Sequence, residues 1–308
     1  MSRTVFLGTT DFAATVLRRL TDSPHRPQLV ITPPDRPQGR GRRLHSPPAA
    51  EAARELDLPL LQAESVNATD ALERIRAASP RTAVVCAFGQ LIREPLLSEF
   101  LMLNVHPSLL PRWRGAAPIE RAIMAGDEIT GVSVMGVTEG LDSGPVAIQE
   151  ETPIEENENY GSLATRLADV GGELILRALE LEEGGKLELR DQDDAEATYA
   201  EKIDSAERRL DPGRPAQELA RTVHALTPHI GAYLETEDGD RLGVRAAAAV
   251  DGSGDPGRLR ESEGALWLDC AEGVLRLDVV QPPAGRPMPV DAFVRGHPVP
   301  DRVIVQNG

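Results

Sequence analysis

The chain has 308 residues, of which 41% are hydrophobic, and it carries a formal net charge of −16 at pH 7. This length suggests about two domains, and this composition excludes an intrinsically disordered chain. The negative charge argues against indiscriminate binding of polyanions, although arginines at one local patch could still contact a nucleic acid.

The first part of the chain alternates between strand and helix patterns. RTVFLG (3–8) predicts a strand, and Thr10 or Asp11 could cap the helix that follows it. Later strands are predicted at QLVIT (28–32), TAVVCAFG (82–89), GVSVMGV (131–137) and GPVAIQE (144–150), and LMLNVHPSLL (101–110) is predicted to be a strand and its exit. Helical patterns separate most of them, and a long amphipathic helix is predicted at 160–185. The alternation predicts a mostly parallel sheet covered by helices.

Two polar segments interrupt this pattern. PPDRPQGRGRRLHSPP (33–48) is rich in Pro, Gly and Arg and is predicted to be a loop. LRDQDDAEATYAEKIDSAER (189–208) is predicted to be a connector. After a further helix at 215–226, short alternating strands separated by turns such as Asp238-Gly239 predict a small β-barrel.

Several classes of protein are disfavoured by what the sequence lacks. The N-terminal segment has no signal-peptide pattern, and no apolar run approaches the roughly 20 residues that span a bilayer. The scattered histidines and the distant Cys86 and Cys270 predict buried thiols and no metal site. Neither Gly-x-Gly-x-x-Gly nor a P-loop motif follows the first strand, which disfavours dinucleotide or ATP binding. We therefore expect a cytoplasmic protein without a membrane partner.

Three polar residues suggest a catalytic group at the ends of the predicted strands. Asn104 and His106 are two residues apart on one strand and share a face, while Asp142 lies in a turn between Gly140 and Gly144. Asn104 could donate to an oxygen that becomes negative, and His106 could donate to the same oxygen or move a proton. Asp142 could orient the imidazole or accept a proton through water. Each residue alone is more often structural, and no Ser or Cys has a nucleophile-elbow context, so the set favours direct acyl transfer.

Longer motifs around these residues resemble those of methionyl-tRNA formyltransferases. NVHPSLLPRWRGAAPIERAI (104–123) and GVSVMGVTEGLDSGP (131–145) are similar to the core of that family. The resemblance extends from end to end through VFLGTTDFA, the Arg-rich segment (33–48), VVCAFGQLI, ATYAEKID and VQPPAGRPMPVDAFVRG. The Asn-x-His-x-Ser-Leu-Leu-Pro core alone indicates folate-dependent formyltransferases generally, whereas Trp113 to Ile119 and the C-terminal segment indicate the tRNA enzymes.

The resemblance implies a fold and an activity. It implies an α/β, Rossmann-like catalytic domain at 1–189, a linker at 190–207 and an oligonucleotide-fold-like β-barrel at 208–308. It also implies transfer of a formyl group from 10-formyltetrahydrofolate to the amino group of methionyl initiator tRNA, without a metal. We expect the protein to act as a monomer.

The resemblance further implies roles for individual residues. Asn104, His106 and Asp142 fall on the catalytic positions of the family. The implied folate contacts are Ser108, Leu109, Leu110, Pro111, Phe88, Gly89, Gln90, Leu91 and Ile92. The implied tRNA contacts are Arg36, Arg40, Arg42, Arg43 and Lys202.

Two other functions fit part of the sequence. A formyltransferase for a small amine would share the catalytic residues, but it would give no reason for the Arg-rich segment or the barrel. A non-catalytic tRNA- or folate-binding protein on the same scaffold would have no need for the intact set of Asn104, His106 and Asp142.

Overall fold

The computed structural model describes residues 3–38 and 43–305, except for the side chains of Gln38 and Arg43. The chain divides into two compact units, each built from three segments of sequence. The first unit consists of Met1–Gly115, Ile129–Pro153 and Ala164–Ala200. The second unit consists of Ala116–Glu128, Ile154–Leu163 and Glu201–Gly308. The limits 1–189, 190–207 and 208–308 drawn from the sequence stay a prediction.

The described residues form strands in both units. They are β1 Thr4–Gly8, β2 Pro27–Thr32, β3 Arg36–Gln38, β4 Arg43–His45, β5 Leu60–Gln62, β6 Thr82–Cys86, β7 Leu101–His106, β8 Arg114–Gly115, β9 Ile129–Gly136, β10 Val146–Pro153, β11 Tyr199–Ala200, β12 Ala232–Glu235, β13 Arg241–Val250, β14 Leu259–Ser262, β15 Ala265–Asp269, β16 Val274–Gln281 and β17 Met288–Pro289. The helices are α1 Asp11–Thr21, α2 Pro48–Glu55, α3 Thr69–Ala78, α4 Leu96–Glu99, α5 Pro118–Ala125, α6 Tyr160–Glu183, α7 Ala216–Leu226 and α8 Val290–Gly296.

The first unit contains a seven-stranded sheet in the order β10-β9-β7-β6-β1-β2-β5. The five strands β7, β6, β1, β2 and β5 are parallel to one another. At one edge, β9 pairs antiparallel with β7, and β10 pairs antiparallel with β9. Every residue of β1 and β6 is buried, as expected for central strands of a parallel sheet covered on both faces. The prediction of a mostly parallel, Rossmann-like sheet is confirmed.

Local signals set the ends of the helices beside this sheet and in the second unit. Thr10 is the N-cap of α1, and its hydroxyl accepts a hydrogen bond from the backbone N–H of Ala13 at 3.5 Å. Gly126 ends α5 with a left-handed φ of 75°, which a glycine adopts without the strain of a Cβ. The cap at Thr10 agrees with the sequence-based expectation.

The predicted loop at 33–48 contains regular structure instead. Strands β3 and β4 pair as an antiparallel hairpin, with Arg36 opposite His45 and Pro37 opposite Leu44. A two-stranded ribbon leaves one edge of each strand unpaired, so a proline without an N–H is tolerated there. The prediction of loop throughout this segment is therefore wrong at the hairpin.

The second unit is built on an antiparallel sheet in the order β12-β13-β16-β15-β14, with β17 paired to β16. Helix α7 packs on β13, and its apolar side chains Leu219, Val223 and Leu226 join one core with sheet residues such as Leu234 and Leu277. Burial of these side chains from water is the main stabilising term of this unit. The predicted α/β domain followed by a small β-barrel is confirmed in its order and in its antiparallel strands, with β12 and β14 at the two ends of the described strand order.

The two cysteines, Cys86 and Cys270, are free and buried as the sequence indicated. Burial raises the pKa of the Cys270 thiol to about 12, and burial also raises the pKa of the Cys86 thiol. Both side chains therefore remain protonated thiols at neutral pH, which makes them poor nucleophiles.

Across residues 3–38 and 43–305, no helix is both long and apolar enough to cross a membrane. Within the same ranges, no group of three or more His, Cys, Asp or Glu side chains is arranged to hold a metal ion.

Candidate active site

Asn104 and His106 lie at the carboxyl end of β7, which runs between β6 and β9 near the middle of the sheet. Both residues pair with β9, Asn104 opposite Met135 and His106 opposite Ser133, and their spacing places them on one face. Asn104 is half-buried, and its side-chain amide has no hydrogen-bond partner among the residues that the structure describes. The amide is therefore available to an oxygen of a bound molecule.

The imidazole of His106 is buried between a backbone carbonyl and a carboxylate. Its Nε2 atom lies 2.9 Å from the carbonyl oxygen of Trp113, and its Nδ1 atom lies 3.7 Å from Oδ2 of Asp142. A carbonyl oxygen only accepts hydrogen bonds, so Nε2 carries the hydrogen that it donates to Trp113. In the neutral ring, Nδ1 is then the nitrogen with a free lone pair, on the side of Asp142.

Asp142 lies in the turn after β9 and is held there by its side chain and by neighbouring glycines. Its Oδ2 atom accepts a hydrogen bond from the backbone N–H of Gly115 at 2.9 Å. Its φ is 45°, a left-handed conformation that Asp tolerates better than most residues. A Cβ on Gly144 would lie 1.8 Å from the carbonyl oxygen of Gly136, so this close approach requires glycine. The structure thus brings Asp142 to His106 from 36 residues away in sequence.

This arrangement provides a hydrogen-bond donor and a proton-transfer pair side by side. The Asn104 amide can stabilise an oxygen that gains negative charge, and Nδ1 of His106 can exchange a proton beside the Asp142 carboxylate. Cys86, at the end of the adjacent strand β6, is kept as a thiol by burial, which raises its pKa. The described site therefore favours direct transfer of an acyl group over a covalent enzyme intermediate.

Three contacts of this site involve groups that the sequence analysis did not single out. They are the carbonyl of Trp113, the N–H of Gly115 and the side chain of Gln192, which donates to the Asp142 carbonyl at 2.9 Å. The first two are backbone groups and carry no signature in residue type. Gln192 lies in the segment predicted to be a polar connector, where a single Gln gives no signal.

The segment Ser108-Leu109-Leu110-Pro111 follows β7 directly and is fixed by hydrogen bonds to neighbouring strands. The hydroxyl of Ser108 is buried and donates to the carbonyl of Arg112 at 2.6 Å. Ser133 donates to the carbonyl of Ser108, and Gln149 donates to the carbonyl of Leu110. Leu110 is buried, so the half-buried Leu109 and Pro111 are the members of this segment with more exposed surface.

The segment Phe88 to Ile92 follows β6 and alternates between buried and exposed residues. Phe88 and Ile92 are buried, whereas Gly89 and Leu91 are exposed, with 60% of the Leu91 surface accessible. The backbone N–H groups of Gly89 and Leu91 have no partner in the part of the chain that the structure describes. This edge therefore offers a ligand both apolar surface and backbone donors that no described residue engages.

Gln90, within the same segment, makes hydrogen bonds inside the protein. Its Oε1 atom accepts from the backbone N–H of Val66 at 2.8 Å, and its Nε2 atom donates to the carbonyl of Ala63 at 2.9 Å. The side chain thus fixes the segment against the chain after β5, and its polar atoms are engaged there.

The positively charged residues of the sequence analysis fall in two places. Arg36, on β3, is exposed and forms an ion pair with Glu64 at 3.2 Å. Lys202, in the second unit, is exposed. Arg40 and Arg42 lie outside the described residues, and only the backbone of Arg43, on β4, is described.

Comparison of the sequence with known families places nearly all of this chain within one group. The family model described as "Formyl transferase" matches residues 2–179, and the one described as "Formyl transferase, C-terminal domain" matches residues 202–298.

Individual proteins match over almost the whole chain. A methionyl-tRNA formyltransferase of Methylobacillus flagellatus is 40% identical over 96% of each chain. A methionyl-tRNA formyltransferase of Pseudomonas paraeruginosa is 43% identical over 93% of each chain.

Among solved structures, HypX from Aquifex aeolicus in complex with tetrahydrofolic acid is similar, with a TM-score of 0.67. The identity is 18%, and the match covers 99% of this chain and 51% of HypX. At this identity the similarity demonstrates a shared fold.

Proposed function

Because the chain belongs to the methionyl-tRNA formyltransferase family, we propose that it transfers the formyl group of 10-formyltetrahydrofolate to the amino group of methionyl initiator tRNA. This reaction prepares the initiator tRNA for translation initiation. The observation that carries the proposal is identity of 40% or more to two such enzymes over at least 93% of the chain.

Asn104 is the donor that stabilises the reacting oxygen. The formyl carbonyl oxygen gains negative charge as the amine attacks, and a positioned N–H donor lowers the energy of that state more than that of the ground state. The support is the location of the amide at the end of β7 together with its lack of a partner among the described residues.

His106 and Asp142 move the proton that the attacking amine loses. With Nε2 donating to Trp113, Nδ1 of His106 is the atom that accepts the proton, and the Asp142 carboxylate lies 3.7 Å away to stabilise the imidazolium. The proton then returns to the leaving nitrogen of the folate, so the pair ends the reaction in its starting state.

10-Formyltetrahydrofolate carries the formyl group on a nitrogen. The protein must hold the pterin and the p-aminobenzoyl ring of this co-substrate beside Asn104. The N–H groups of Gly89 and Leu91, which have no partner among the described residues, and the exposed Leu91 side chain fit a flat heterocycle with polar edges. Ser108, Leu109, Leu110 and Pro111 are the proposed contacts on the other strand end, with Phe88, Gln90 and Ile92 supporting the first segment. The Ser108 hydroxyl donates to the carbonyl oxygen of Arg112, so we assign this hydroxyl no hydrogen bond to the folate.

Arg36, Arg40, Arg42, Arg43 and Lys202 are the proposed tRNA contacts. Residues 33–48 contain four arginines and one acidic residue in a chain of net charge −16, so the segment is a local positive site for phosphate groups. Since translation takes place in the cytoplasm, we place the protein there and expect it to work as a monomer.

A formyltransferase that acts on a small amine is the alternative function. Formylation of methionyl initiator tRNA, of methionyl elongator tRNA and of an amino sugar nucleotide should be compared at equal 10-formyltetrahydrofolate. We expect initiator tRNA to give the highest kcat/KM. A higher kcat/KM for the sugar nucleotide would support the alternative, and absence of turnover with every acceptor would support a binding protein.

A further inference from the structure

Gln192 fixes the shape of the turn that contains Asp142. Its Nε2 atom donates to the carbonyl oxygen of Asp142 at 2.9 Å and to that of Gly144 at 2.7 Å. One side-chain amide has two N–H groups, so Gln192 satisfies two carbonyls of the same turn at once. It reaches them from 50 and 48 residues further along the chain.

Arg114 determines which way the Gln192 amide points. Its guanidinium is buried, and its Nε atom donates to Oε1 of Gln192 at 2.9 Å, while Nη2 donates to Asp194 at 2.8 Å. A guanidinium only donates hydrogen bonds, so the atom of Gln192 that faces Arg114 must be the oxygen. The NH₂ group must then face the two carbonyls, because a flipped amide would lose all three hydrogen bonds.

Arg114 also stands between two backbone groups of the site. The residue before it, Trp113, accepts the hydrogen bond from His106, and the residue after it, Gly115, donates to the Asp142 carboxylate. A single short segment of chain is therefore linked to the imidazole, to the carboxylate and, through Gln192, to the backbone of the carboxylate's own turn. Movement of that turn would change the distance between Asp142 and His106.

We propose that Gln192 is a positioning residue that keeps the Asp142 carboxylate in place for proton transfer; this inference rests on the function proposed above. Asp142 has a left-handed φ of 45°, which is uncommon for a residue other than glycine, so contacts around the turn help to hold it. Hydrogen bonds to the carbonyls of residues 142 and 144 hold the turn at Asp142 and directly after it. Gln192 touches neither the formyl donor nor the acceptor in this role and acts through Asp142.

Gln192→Glu is the most direct test, because it preserves size while replacing the NH₂ group with an oxygen. The new carboxylate keeps its acceptor for Arg114 but places a second acceptor against two carbonyl oxygens. We expect kcat to fall roughly 10- to 100-fold, as for a displacement of about 1 Å of a reacting group, with KM for both substrates within about twofold. Gln28→Glu, the same substitution at an exposed position of β2, should leave kcat unchanged.

A double-mutant cycle distinguishes positioning from a general effect on the fold. In the background of Asp142→Asn, Gln192→Glu should reduce kcat by less than about threefold, because the group that Gln192 positions is already disabled. Equal losses in both backgrounds would overturn the proposal, and so would unchanged kcat in the single variant.

Amide hydrogen exchange gives a measurement that does not depend on activity. Exchange in the segment 138–145 should become faster in Gln192→Glu and stay unchanged in Gln28→Glu. Unchanged exchange would overturn the positioning role whatever the reaction is. If the unaltered enzyme formylated no acceptor while exchange changed as expected, the proposed function would fail although the structural link held.

Discussion

The Nε2 atom of His106 donates to the carbonyl oxygen of Trp113 across 2.9 Å, which fixes the imidazole by a backbone group rather than by a side chain. The second ring nitrogen then faces Asp142 at 3.7 Å, a distance longer than a hydrogen bond. The Asp142 carboxylate is therefore close enough to stabilise a protonated His106 electrostatically, while Nδ1 makes no direct hydrogen bond to it. This geometry suits a base that must gain and release a proton within each reaction.

Asp142→Asn should reduce kcat nearly as much as His106→Ala, and the double variant should be little worse than either. The reason is that the carboxylate acts by stabilising the protonated imidazole, so either substitution disables the same unit. We expect losses of about 100-fold or more, as for removal of a general base. The measurement is kcat for the three variants, with Asp191→Asn as a control that removes an exposed carboxylate.

Additive losses in that comparison would contradict the pairing of Asp142 with His106. They would mean that Asp142 contributes to the reaction independently of the imidazole.

Asn104→Ala should cut kcat by roughly 100-fold or more and leave the fold intact, as for loss of one oxyanion donor. The amide has no partner among the described residues, so its removal leaves no buried group unsatisfied there. Asn104→Asp should be at least as damaging, since it keeps the shape and replaces the donor with a negative acceptor. A change confined to KM, or an active Asn104→Asp variant, would show that the residue does not stabilise the reacting oxygen.

The parts of the fold that the sequence predicted well have a local signature. β1 and β6 are buried on both faces and are mostly apolar, with Thr4 and Thr82 at their first positions. Thr10, which precedes the helical pattern in the sequence, is the N-cap of α1. The position of Asn104 and His106 on one face followed from the two-residue period of a strand. Their place in a candidate site followed from the tendency of ligands to bind at strand ends.

The parts that the sequence did not predict depend on contacts between distant segments. The β3–β4 hairpin forms in a segment whose Pro and Gly content is typical of a loop. Gln192 is recognisable only when the turn at 142–144 is known to lie beside it. Trp113 takes part through a carbonyl that every residue possesses, so no choice of side chain could reveal it.

The stability of the second unit should depend on the protonation of His224. Its Nε2 atom donates to the carbonyl of Ala247 at 3.0 Å, and burial lowers the pKa of the imidazole against the opposing effects of that hydrogen bond and of Asp278. The unfolded chain therefore binds the proton at a higher pH than the folded chain does. The contribution to stability is present above the unfolded pKa near 6.5 and is lost as pH falls through the lowered folded pKa.

Urea unfolding at pH 7.5 and at pH 5.5 measures this effect. Replacement of His224 by Gln should reduce the loss of unfolding free energy between the two pH values, whereas His45→Gln, at an exposed position, should leave that loss unchanged. An equal loss in the unaltered protein and in His224→Gln would show that another group is responsible.

The Arg-rich segment should contribute more to tRNA use than its length suggests. Residues 33–48 contain Arg36, Arg40, Arg42 and Arg43 against Asp35, a local charge of +3 with His45 neutral, whereas residues 208–308 contain 12 Arg and 15 Asp or Glu, a net −3. Phosphate contacts should therefore concentrate on this segment. If Arg40 makes a bidentate contact, Arg40→Ala should lower kcat/KM for initiator tRNA by a factor that corresponds to about 1–3 kcal/mol of activation free energy. Folate binding should stay unchanged.

Arg43→Ala provides the comparison that separates recognition from simple attraction. If Arg43 contacts only phosphate, its loss should weaken initiator and elongator tRNA alike and should lower the slope of log(kcat/KM) against log salt by about one. If the segment only steers encounter, both substitutions should have equal, small effects that disappear at moderate salt, because screening removes long-range attraction. Measuring kcat/KM for both tRNAs at two salt concentrations distinguishes specific recognition from long-range attraction. Equal losses of kcat/KM in the two variants that disappear at the higher salt concentration would refute a recognition role for Arg40.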